Sequence, residues 1–402
     1  MTTKTDDLLK MAEAHSAENY HPLPVVLTRG EGCWVWDVEG KKYLDMLSSY
    51  SALNQGHCHP RIIAALNEQA GQLTLTSRAF HNDLFGPLVK RLTELTGLDK
   101  ALPMNTGAEG VETAIKMARR WGYEKKGIPE DKAEIVVFEN NFHGRTTTIV
   151  GFSSEAAYQR GFGPFTPGFK IVPYGDMEAV RGAVGPNTCA VLIEPIQGEG
   201  GILIPPAGYL TELAALCREQ NVLFVADEIQ TGLGRTGKPF AWQHEPDAAP
   251  DAIILGKALG GGVYPVSAVV ARADAMDVFD PGSHGSTFGG NPLACRVALT
   301  SLDVLVDEGL VEKAAASGAY FMEKLREIGS SHVTEVRGRG LLIGVEVKAE
   351  AGGARPFCER LKEEGILCKE THELVIRFAP PLVIDREEMD WALARVEKVL
   401  TE

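Results

Sequence analysis

Short apolar runs that alternate with helical segments dominate the middle of the chain, and this alternation constrains the fold more than any other feature. Residues 222–226 and 252–255 are two such runs, each bounded by polar or turn residues. This pattern is typical of strands that are buried on both faces of a parallel sheet. Similar runs at 134–138 and 189–195 extend the alternation over about residues 100–270. The sequence therefore predicts an α/β fold with a doubly wound, mostly parallel sheet.

The length of 402 residues indicates two or three domains. We expect a large sheet domain at 51–290 and a smaller α/β domain at 291–402, because long amphipathic helices and a strand pair replace the alternating pattern after the large domain. The segment 1–50 contains a predicted hairpin, and we expect it to pack with the small domain.

Two predicted strands end in residues that suit a cofactor. Asp227 follows the run at 222–226, and Lys257 follows the run at 252–255 after one glycine. Ligands of open α/β sheets bind at the carboxyl ends of the strands, so both side chains point at the default site. Pyridoxal phosphate needs a lysine amine that forms a Schiff base with its aldehyde, and a carboxylate that keeps its ring nitrogen protonated. For an arbitrary acid and lysine, however, a structural ion pair or a turn cap is the simpler explanation.

Charge and cysteine usage argue against several classes of function. Forty basic residues against 54 acidic ones give a net charge of −14, which disfavours nucleic acid or an anionic membrane as a partner. No apolar run is long enough to span a bilayer, and residues 1–20 lack the features of a signal peptide, so we expect a cytoplasmic protein. The seven cysteines are scattered, and His57-Cys58-His59 reads as part of a turn, so neither disulfides nor a metal site are expected.

Two further segments have side chains or backbone groups that suit a ligand. A predicted helix begins with Thr106, Gly107 and Ala108. The free N–H groups and the positive dipole at its start suit a phosphate. An ordinary capped helix without a ligand fits the sequence equally well. Phe142 follows a strand and is suited to stack on a planar ring, while Arg145 is suited to hold a carboxylate. Taken singly, Phe142 as a core residue and Arg145 as a solvated charge are equally simple interpretations.

A competing motif lies at residues 232–237, which match the GxGxxG dinucleotide fingerprint. That fingerprint has to sit directly between a strand and a long helix. Here five residues intervene after the strand, and Pro239 and Pro246 prevent a regular helix from following. A nicotinamide-binding site is therefore not expected at this position.

Many segments, taken in order along nearly the whole chain, resemble the subgroup III, fold-type I pyridoxal-phosphate aminotransferases and, within them, the ornithine δ-aminotransferases. The matching segments are NYHPLPVVLTRG, SSYSALNQGHCHP, LTLTSRAFHND, LPMNTGAEGVETA, NFHGRT, GFGPFTPGF, EPIQGEGG, FVADEIQTGLGRTG, LGKALGGGVYPVSA, HGSTFGGNP, VRGRGLLIG and IRFAPPLVI. So many long motifs in family order favour the cofactor interpretation of Asp227 and Lys257 over a structural ion pair. The resemblance implies a large domain that binds pyridoxal phosphate and a small domain built from the C-terminal part and the N-terminal segment.

The resemblance also implies a role for each residue around the cofactor ring. Lys257 would bond to the cofactor and then move the proton, and Asp227 would pair with the ring nitrogen. Phe142 and Ile229 would lie on the two faces of the ring, and Gln230 would lie near its hydroxyl group. Some members of the family carry valine at the position of Ile229, and both residues offer a branched apolar contact.

The cofactor phosphate is assigned in the same way. Thr106, Gly107 and Ala108 would hold it from within the chain. Ser286 and Thr287 would reach it from a second subunit, so the resemblance implies a homodimer with active sites at the interface. No metal ligand is implied.

Five more residues are implied in substrate binding. Tyr20 and Arg145 would bind the α-carboxylate of L-ornithine, and Tyr50 would orient its chain. Arg377 would bind the α-carboxylate of glutamate or 2-oxoglutarate. Glu199 would pair with Arg377 during the ornithine half-reaction and leave it during the other.

The activity implied is a ping-pong transfer of the δ-amino group of L-ornithine to 2-oxoglutarate. The products would be L-glutamate and glutamate-5-semialdehyde, which cyclises to pyrroline-5-carboxylate. Related enzymes of the same fold act on N-acetylornithine or other ω-amino acids, and these remain the alternative substrates. His143 stands where some members carry tryptophan, and this departure retains an aromatic ring.

Overall fold

The computed structural model describes residues 3–402, and its strands and helices follow the predicted order. The strands are β1 (Leu27–Glu31), β2 (Trp34–Asp37), β3 (Lys42–Asp45), β4 (Lys100–Met104), β5 (Glu134–Phe138), β6 (Phe169–Val172), β7 (Thr188–Ile193), β8 (Leu223–Asp227), β9 (Ala252–Leu255), β10 (Ser267–Ala271), β11 (Val333–Arg339), β12 (Leu342–Val347), β13 (Ile366–Leu367), β14 (Lys369–Thr371) and β15 (Val375–Phe378). The helices are α1 (Lys4–His15), α2 (Ser48–Ser51), α3 (Pro60–Ala70), α4 (Phe85–Thr96), α5 (Gly107–Trp121), α6 (Thr147–Gly151), α7 (Ala156–Gln159), α8 (Met177–Ala183), α9 (Tyr209–Glu219), α10 (Ala273–Met276), α11 (Pro292–Asp307), α12 (Leu310–Glu327), α13 (Arg355–Glu363) and α14 (Arg386–Thr401).

The central sheet has seven strands in the order β4-β10-β9-β8-β7-β5-β6. Strand β10 runs antiparallel to both of its neighbours, and β9, β8, β7, β5 and β6 run parallel to one another. Every residue of β7, β8, β9 and β10 is buried, which explains why these strands read as continuous apolar runs. The prediction of a doubly wound, mostly parallel sheet is confirmed.

Helices cover both faces of this sheet. Val111 and Ile115 of α5 pack on one face, in a cluster that includes Ile254 of β9. Leu213 of α9 packs on the other face against Phe224 of β8. The carboxyl ends of the central strands are therefore held between two apolar layers, and the loops that follow them are placed on a rigid frame.

Two four-stranded sheets complete the fold, in the orders β11-β12-β15-β14 and β1-β2-β3-β13. Strand β13 pairs in parallel with β3, so the N-terminal hairpin shares a sheet with the C-terminal part of the chain. The domain boundaries after residues 50 and 290 remain a prediction. Within residues 3–402, no helix is both long and apolar enough to cross a membrane.

The short helix α2 has an unusual backbone that bears on the site. All four residues from Ser48 to Ser51 have positive φ angles between 45° and 72°, a left-handed conformation that costs non-glycine residues roughly 1–2 kcal/mol each. The turn is held by Arg235, which is fully buried and donates to Ser48 Oγ (3.0 Å) and to Asn54 Oδ1 (2.6 Å). The same guanidinium donates to the carbonyl of Pro380 (2.6 Å), so it ties the turn to the chain that follows β15.

Candidate active site

Asp227 and Lys257 lie at the carboxyl ends of two neighbouring strands, β8 and β9, as their positions in the sequence predicted. Both line a cavity of about 190 Å³. Phe142, Ile229 and Gln230 line it as well. The structure therefore brings together the residues that the resemblance implied for the cofactor ring. In the sequence these residues are spread from Phe142 to Lys257.

Asp227 is held in place by two hydrogen bonds. Its Oδ2 lies 2.6 Å from His143 Nδ1, and its Oδ1 accepts from the backbone N–H of Ile229 at 3.0 Å. Burial acts to lower the pKa of His143, but the hydrogen bond and the charges of Asp227 and Glu194 outweigh it and raise that pKa. The carboxylate thus has a fixed orientation toward the cavity. Resemblance to the family marks His143 only as a replacement for tryptophan, and nothing in the local sequence indicates this contact across 84 positions.

Lys257 occupies a strained backbone position and a buried side-chain position. Its φ angle is 45°, which is uncommon for a residue other than glycine and is a feature of functional sites. Burial lowers the pKa of its amine to about 8, against the opposing charges of Glu199 and Asp227. A large fraction of the side chain is therefore a neutral amine near pH 8, the form that acts as a nucleophile or base.

The N-terminus of α5 faces the same cavity. The Thr106 side chain caps the helix by accepting a hydrogen bond from the backbone N–H of Glu109. The Glu109 carboxylate in turn accepts one from the backbone N–H of Thr106 at 2.8 Å. Gly107 and Ala108, which line the cavity, are the first residues of the helix, and their N–H groups have no acceptor within it. A Cβ at Gly107 would lie 3.0 Å from Ile229 Cδ1, so a side chain there would press on the residue that borders the ring position.

Ser286 and Thr287 lie in the loop before α11. Ser286 Oγ accepts from Asn105 Nδ2 at 2.9 Å and from the backbone N–H of Gly289 at 3.0 Å, so it lies next to the start of α5 in its own chain. Thr287 is exposed. Their assignment to the phosphate of a second subunit stays a prediction.

Arg377 and Glu199 form a buried ion pair next to Lys257. Arg377 is only 1% exposed, and its Nη1 donates to Glu199 Oε1 at 2.7 Å. Its Nη2 donates to Thr371 Oγ1 at 2.9 Å and to the carbonyl of Gly198 at 3.2 Å. Burial acts to raise the pKa of Glu199, but the charge and hydrogen bond of Arg377 lower it to about 2, so this carboxylate is ionised at neutral pH.

The other three substrate residues surround this pair less tightly. Tyr50 lies on the left-handed turn, and its ring centroid is 5.3 Å from Arg377 Cζ. Arg145 is exposed and stacks on the ring of Tyr158, with Cζ 3.7 Å from the centroid. Tyr20 is 73% exposed. Burial raises the pKa of Tyr50, and the nearby charge of Glu199 adds to the effect.

Three features of the structure fit pyridoxal phosphate. The cavity that Asp227 and Lys257 line is also lined by the aromatic ring of Phe142 and the branched side chain of Ile229, which suit contact with a flat ring. The free N–H groups of Gly107 and Ala108 suit a phosphate. Gln230 Oε1 is buried without a hydrogen-bond partner among the described residues, and it lines the cavity where a ring hydroxyl would donate to it.

Comparisons with known proteins agree with this geometry. The family described as aminotransferase class-III matches residues 15–400. An ornithine aminotransferase from a Geobacillus species is 62% identical over 397 residues, which is 99% of each chain. The solved ornithine aminotransferase of Toxoplasma gondii, with pyridoxal phosphate at partial occupancy in its active site, superposes with a TM-score of 0.97 at 49% identity over 99% of this chain and 94% of its own.

A solved acetylornithine aminotransferase from Elizabethkingia anophelis is also similar, with a TM-score of 0.89 and 49% identity over 99% of both chains. Solved proteins named for two different amino donors, ornithine and acetylornithine, therefore share this fold. The family match over almost the whole chain, the residues around the cavity and the mostly parallel sheet all lead to one assignment: the chain belongs to the class-III aminotransferases and is a transaminase that depends on pyridoxal phosphate.

Proposed function

We propose that this transaminase moves the δ-amino group of L-ornithine to 2-oxoglutarate and forms glutamate-5-semialdehyde and L-glutamate. The observation that carries the proposal is the Arg377–Glu199 ion pair beside Lys257. An enzyme that takes an ω-amine in one half-reaction and an α-amine in the other needs an arginine that is available only half of the time. A buried arginine with a carboxylate partner that can move away meets this need.

The side chains around the cavity would hold the cofactor in one orientation. Asp227, fixed by His143, would pair with its ring nitrogen, Phe142 and Ile229 would lie on the ring faces, and Gln230 would accept from its hydroxyl group. When bound, pyridoxal phosphate supplies an electron sink that allows a proton to leave the carbon next to the substrate nitrogen. Asp227 preserves this capacity because its negative charge favours a protonated ring nitrogen.

The amine of Lys257 has two tasks in this proposal. In its neutral form Nζ would hold the cofactor, and it would also take a proton from the substrate and return it. Both tasks require loss of the ammonium proton, and burial lowers the pKa of Lys257 to about 8. The positive φ angle holds this residue at the start of a 3₁₀ turn, where the side chain enters the cavity.

The ion pair would allow one pocket to serve two substrates. With Glu199 bound to it, Arg377 is neutralised, and an amino acid cannot use it to bring its α-amine to the reacting position. When glutamate or 2-oxoglutarate enters, its α-carboxylate replaces that of Glu199, which swings away toward solvent. A buried arginine left with neither partner would be costly, on the order of 3–5 kcal/mol, so one of the two carboxylates always occupies it.

Ornithine would be bound with its α-carboxylate away from Arg377. Arg145 is the available cation, because no carboxylate of the described residues lies within ion-pair distance of it. Tyr20 would join it, and Tyr50 would orient the aliphatic chain between the two arginines. This arrangement leaves the δ-amine next to Lys257.

N-Acetylornithine is the second candidate donor, because this chain is also similar to the acetylornithine aminotransferase of Elizabethkingia anophelis. The absorption of the bound cofactor distinguishes the two donors. Purified holoenzyme is mixed with L-ornithine or with N-acetyl-L-ornithine, without any keto acid. We expect ornithine to bleach the visible band and 2-oxoglutarate to restore it. Bleaching by the acetylated compound alone would overturn the choice of ornithine and the roles of Tyr20 and Tyr50.

We further propose that the enzyme is a cytoplasmic homodimer. Phe288, next to Ser286 and Thr287, is a large apolar residue with 49% exposure, which supports burial of this loop by a second subunit. The partner's loop would then complete the phosphate site. We also propose that the domains divide after residues 50 and 290. Because the product cyclises to pyrroline-5-carboxylate, we place the enzyme in proline biosynthesis or arginine degradation.

A further inference from the structure

Arg145 has no polar contact that determines the direction of its side chain. The guanidinium donates no hydrogen bond to any described residue, and it has no ion-pair partner among residues 3–402. Its close contacts are aromatic: the Tyr158 ring centroid lies 3.7 Å from Cζ, and the Phe142 centroid lies 5.4 Å away. Guanidinium groups stack on aromatic faces through dispersion and cation–π attraction. Of these two rings, that of Tyr158 is the closer, and it is the one that can hold Arg145 in one orientation.

Tyr158 also lines a second cavity, close to the Arg377–Glu199 pair. This cavity has a volume of about 580 Å³ and is also lined by Glu199 and Thr371, which contact Arg377. Its ring meets that of Phe142 edge to face, with centroids 6.2 Å apart and planes at 80°. The ring therefore connects the residue expected on the cofactor face with the arginine expected to bind the donor.

The short helix that carries Tyr158 is anchored independently of Arg145. Gln159 Nε2 donates to the carbonyl of Ser153 at 2.7 Å, and the backbone N–H of Tyr158 donates to the carbonyl of Glu155 at 2.9 Å. Tyr158 itself is only half-buried, and its hydroxyl has no hydrogen-bond partner among the described residues. Replacing its side chain should therefore leave the fold intact.

From these contacts we propose that Tyr158 is a positioning residue for the amino donor: its ring holds the Arg145 guanidinium where the α-carboxylate of ornithine binds. This inference rests on the proposed function, because it assumes that Arg145 binds that carboxylate. The aromatic ring of Tyr158, not its hydroxyl group, makes the contact that positions Arg145. A guanidinium without the ring would sample many rotamers in solvent, and binding would have to order it.

The test compares Tyr158→Leu with Tyr158→Phe, Arg145→Ala and the double variant Arg145→Ala/Tyr158→Leu. For each holoenzyme, the two half-reactions are followed separately through cofactor absorbance, and the apparent Kd for L-ornithine and for 2-oxoglutarate is measured. We expect Tyr158→Leu to raise the apparent Kd for ornithine about tenfold, and Tyr158→Phe to stay within about twofold of the unmodified enzyme. The 2-oxoglutarate half-reaction should change little in either.

The double variant shows whether Tyr158 acts through Arg145. If it does, the double variant binds ornithine no more weakly than Arg145→Ala alone, because the ring has nothing left to position. Additive losses, equal losses in the Phe and Leu variants, or an unchanged Kd in Tyr158→Leu would each overturn the inference while the proposed function stands. An unmodified holoenzyme that does not react with ornithine at all would overturn both.

Discussion

Arg377 and Arg145 are both expected to bind an α-carboxylate, yet they lie in opposite environments. Arg377 is 1% exposed and is paired with Glu199 at 2.7 Å, whereas Arg145 is exposed and lies on an aromatic face. A cation in the protein interior needs an anion at all times, while water solvates an exposed one. The buried arginine can therefore be switched by its carboxylate partner, and the exposed arginine is always available.

Loss of the buried arginine should have the largest effect. Arg377→Ala removes the cation that binds 2-oxoglutarate and leaves Glu199 without its partner, so we expect the rate constant of that half-reaction at low substrate to fall on the order of 100-fold or more. Stability should fall by about 3 kcal/mol, the lower end for a broken buried pair, because Glu199 is partly exposed. Rapid mixing and urea unfolding measure the two effects. An unchanged reaction with 2-oxoglutarate contradicts the role of Arg377.

Loss of the exposed arginine should weaken only the binding of the amino donor. We expect Arg145→Ala to raise the apparent Kd for L-ornithine roughly 10–100-fold, the value of a charge-assisted contact of about 1.5–3 kcal/mol. Unfolding free energy should stay within about 0.5 kcal/mol, as for other surface substitutions. Arg160→Ala is the matched control, because Arg160 is also exposed and has no predicted substrate contact. Equal effects of the two substitutions argue against donor binding by Arg145.

The pH dependence of cofactor capture tests the role of Lys257. Burial lowers the pKa of Lys257 to about 8, so its neutral fraction rises as pH increases from 6 to 9. The rate at which cofactor-free enzyme captures pyridoxal phosphate should therefore rise about tenfold per pH unit well below 8 and level off above it. Glu199 should not titrate in this range, since its pKa is about 2. A flat capture rate contradicts the assignment of a titrating Lys257.

Ionic strength should give the smallest effect. Salt screens exposed charges much more than buried ones. Raising the salt concentration from about 0.05 to 0.5 M should weaken ornithine binding about twofold through Arg145 and should leave 2-oxoglutarate binding at Arg377 less affected. Titrations of the two half-reactions at both salt concentrations provide the measurement. Stronger salt dependence for 2-oxoglutarate would reverse the comparison.

Sequence patterns predicted the central sheet because its strands are buried on both faces. A strand of this kind appears in the sequence as an apolar run of four to six residues. They also placed Asp227 and Lys257 at strand ends, where topology alone brings them together. The roles of Arg377 and Glu199 came from family resemblance, since nothing in the local sequence around either residue indicates an ion pair between positions 178 apart.

Other contacts had no sequence signal. The left-handed turn at Ser48–Ser51 contains no glycine, so composition does not reveal its positive φ angles. Arg235 belongs to the GxGxxG match at residues 232–237. Its guanidinium donates to Ser48 and Asn54, to Leu341 and to Pro380, and so joins its own loop to three other parts of the chain. Such contacts depend on tertiary packing, which local patterns do not encode.

The central claim is that Glu199 controls access to Arg377, and the most direct test is the ratio of the glutamate and ornithine half-reactions in Glu199→Gln. Glutamine keeps the size of the side chain but removes the charge that neutralises Arg377. We predict that the rate with glutamate, relative to the rate with ornithine, rises on the order of tenfold in holoenzyme with full cofactor content. A ratio equal to that of the unmodified enzyme would contradict the claim.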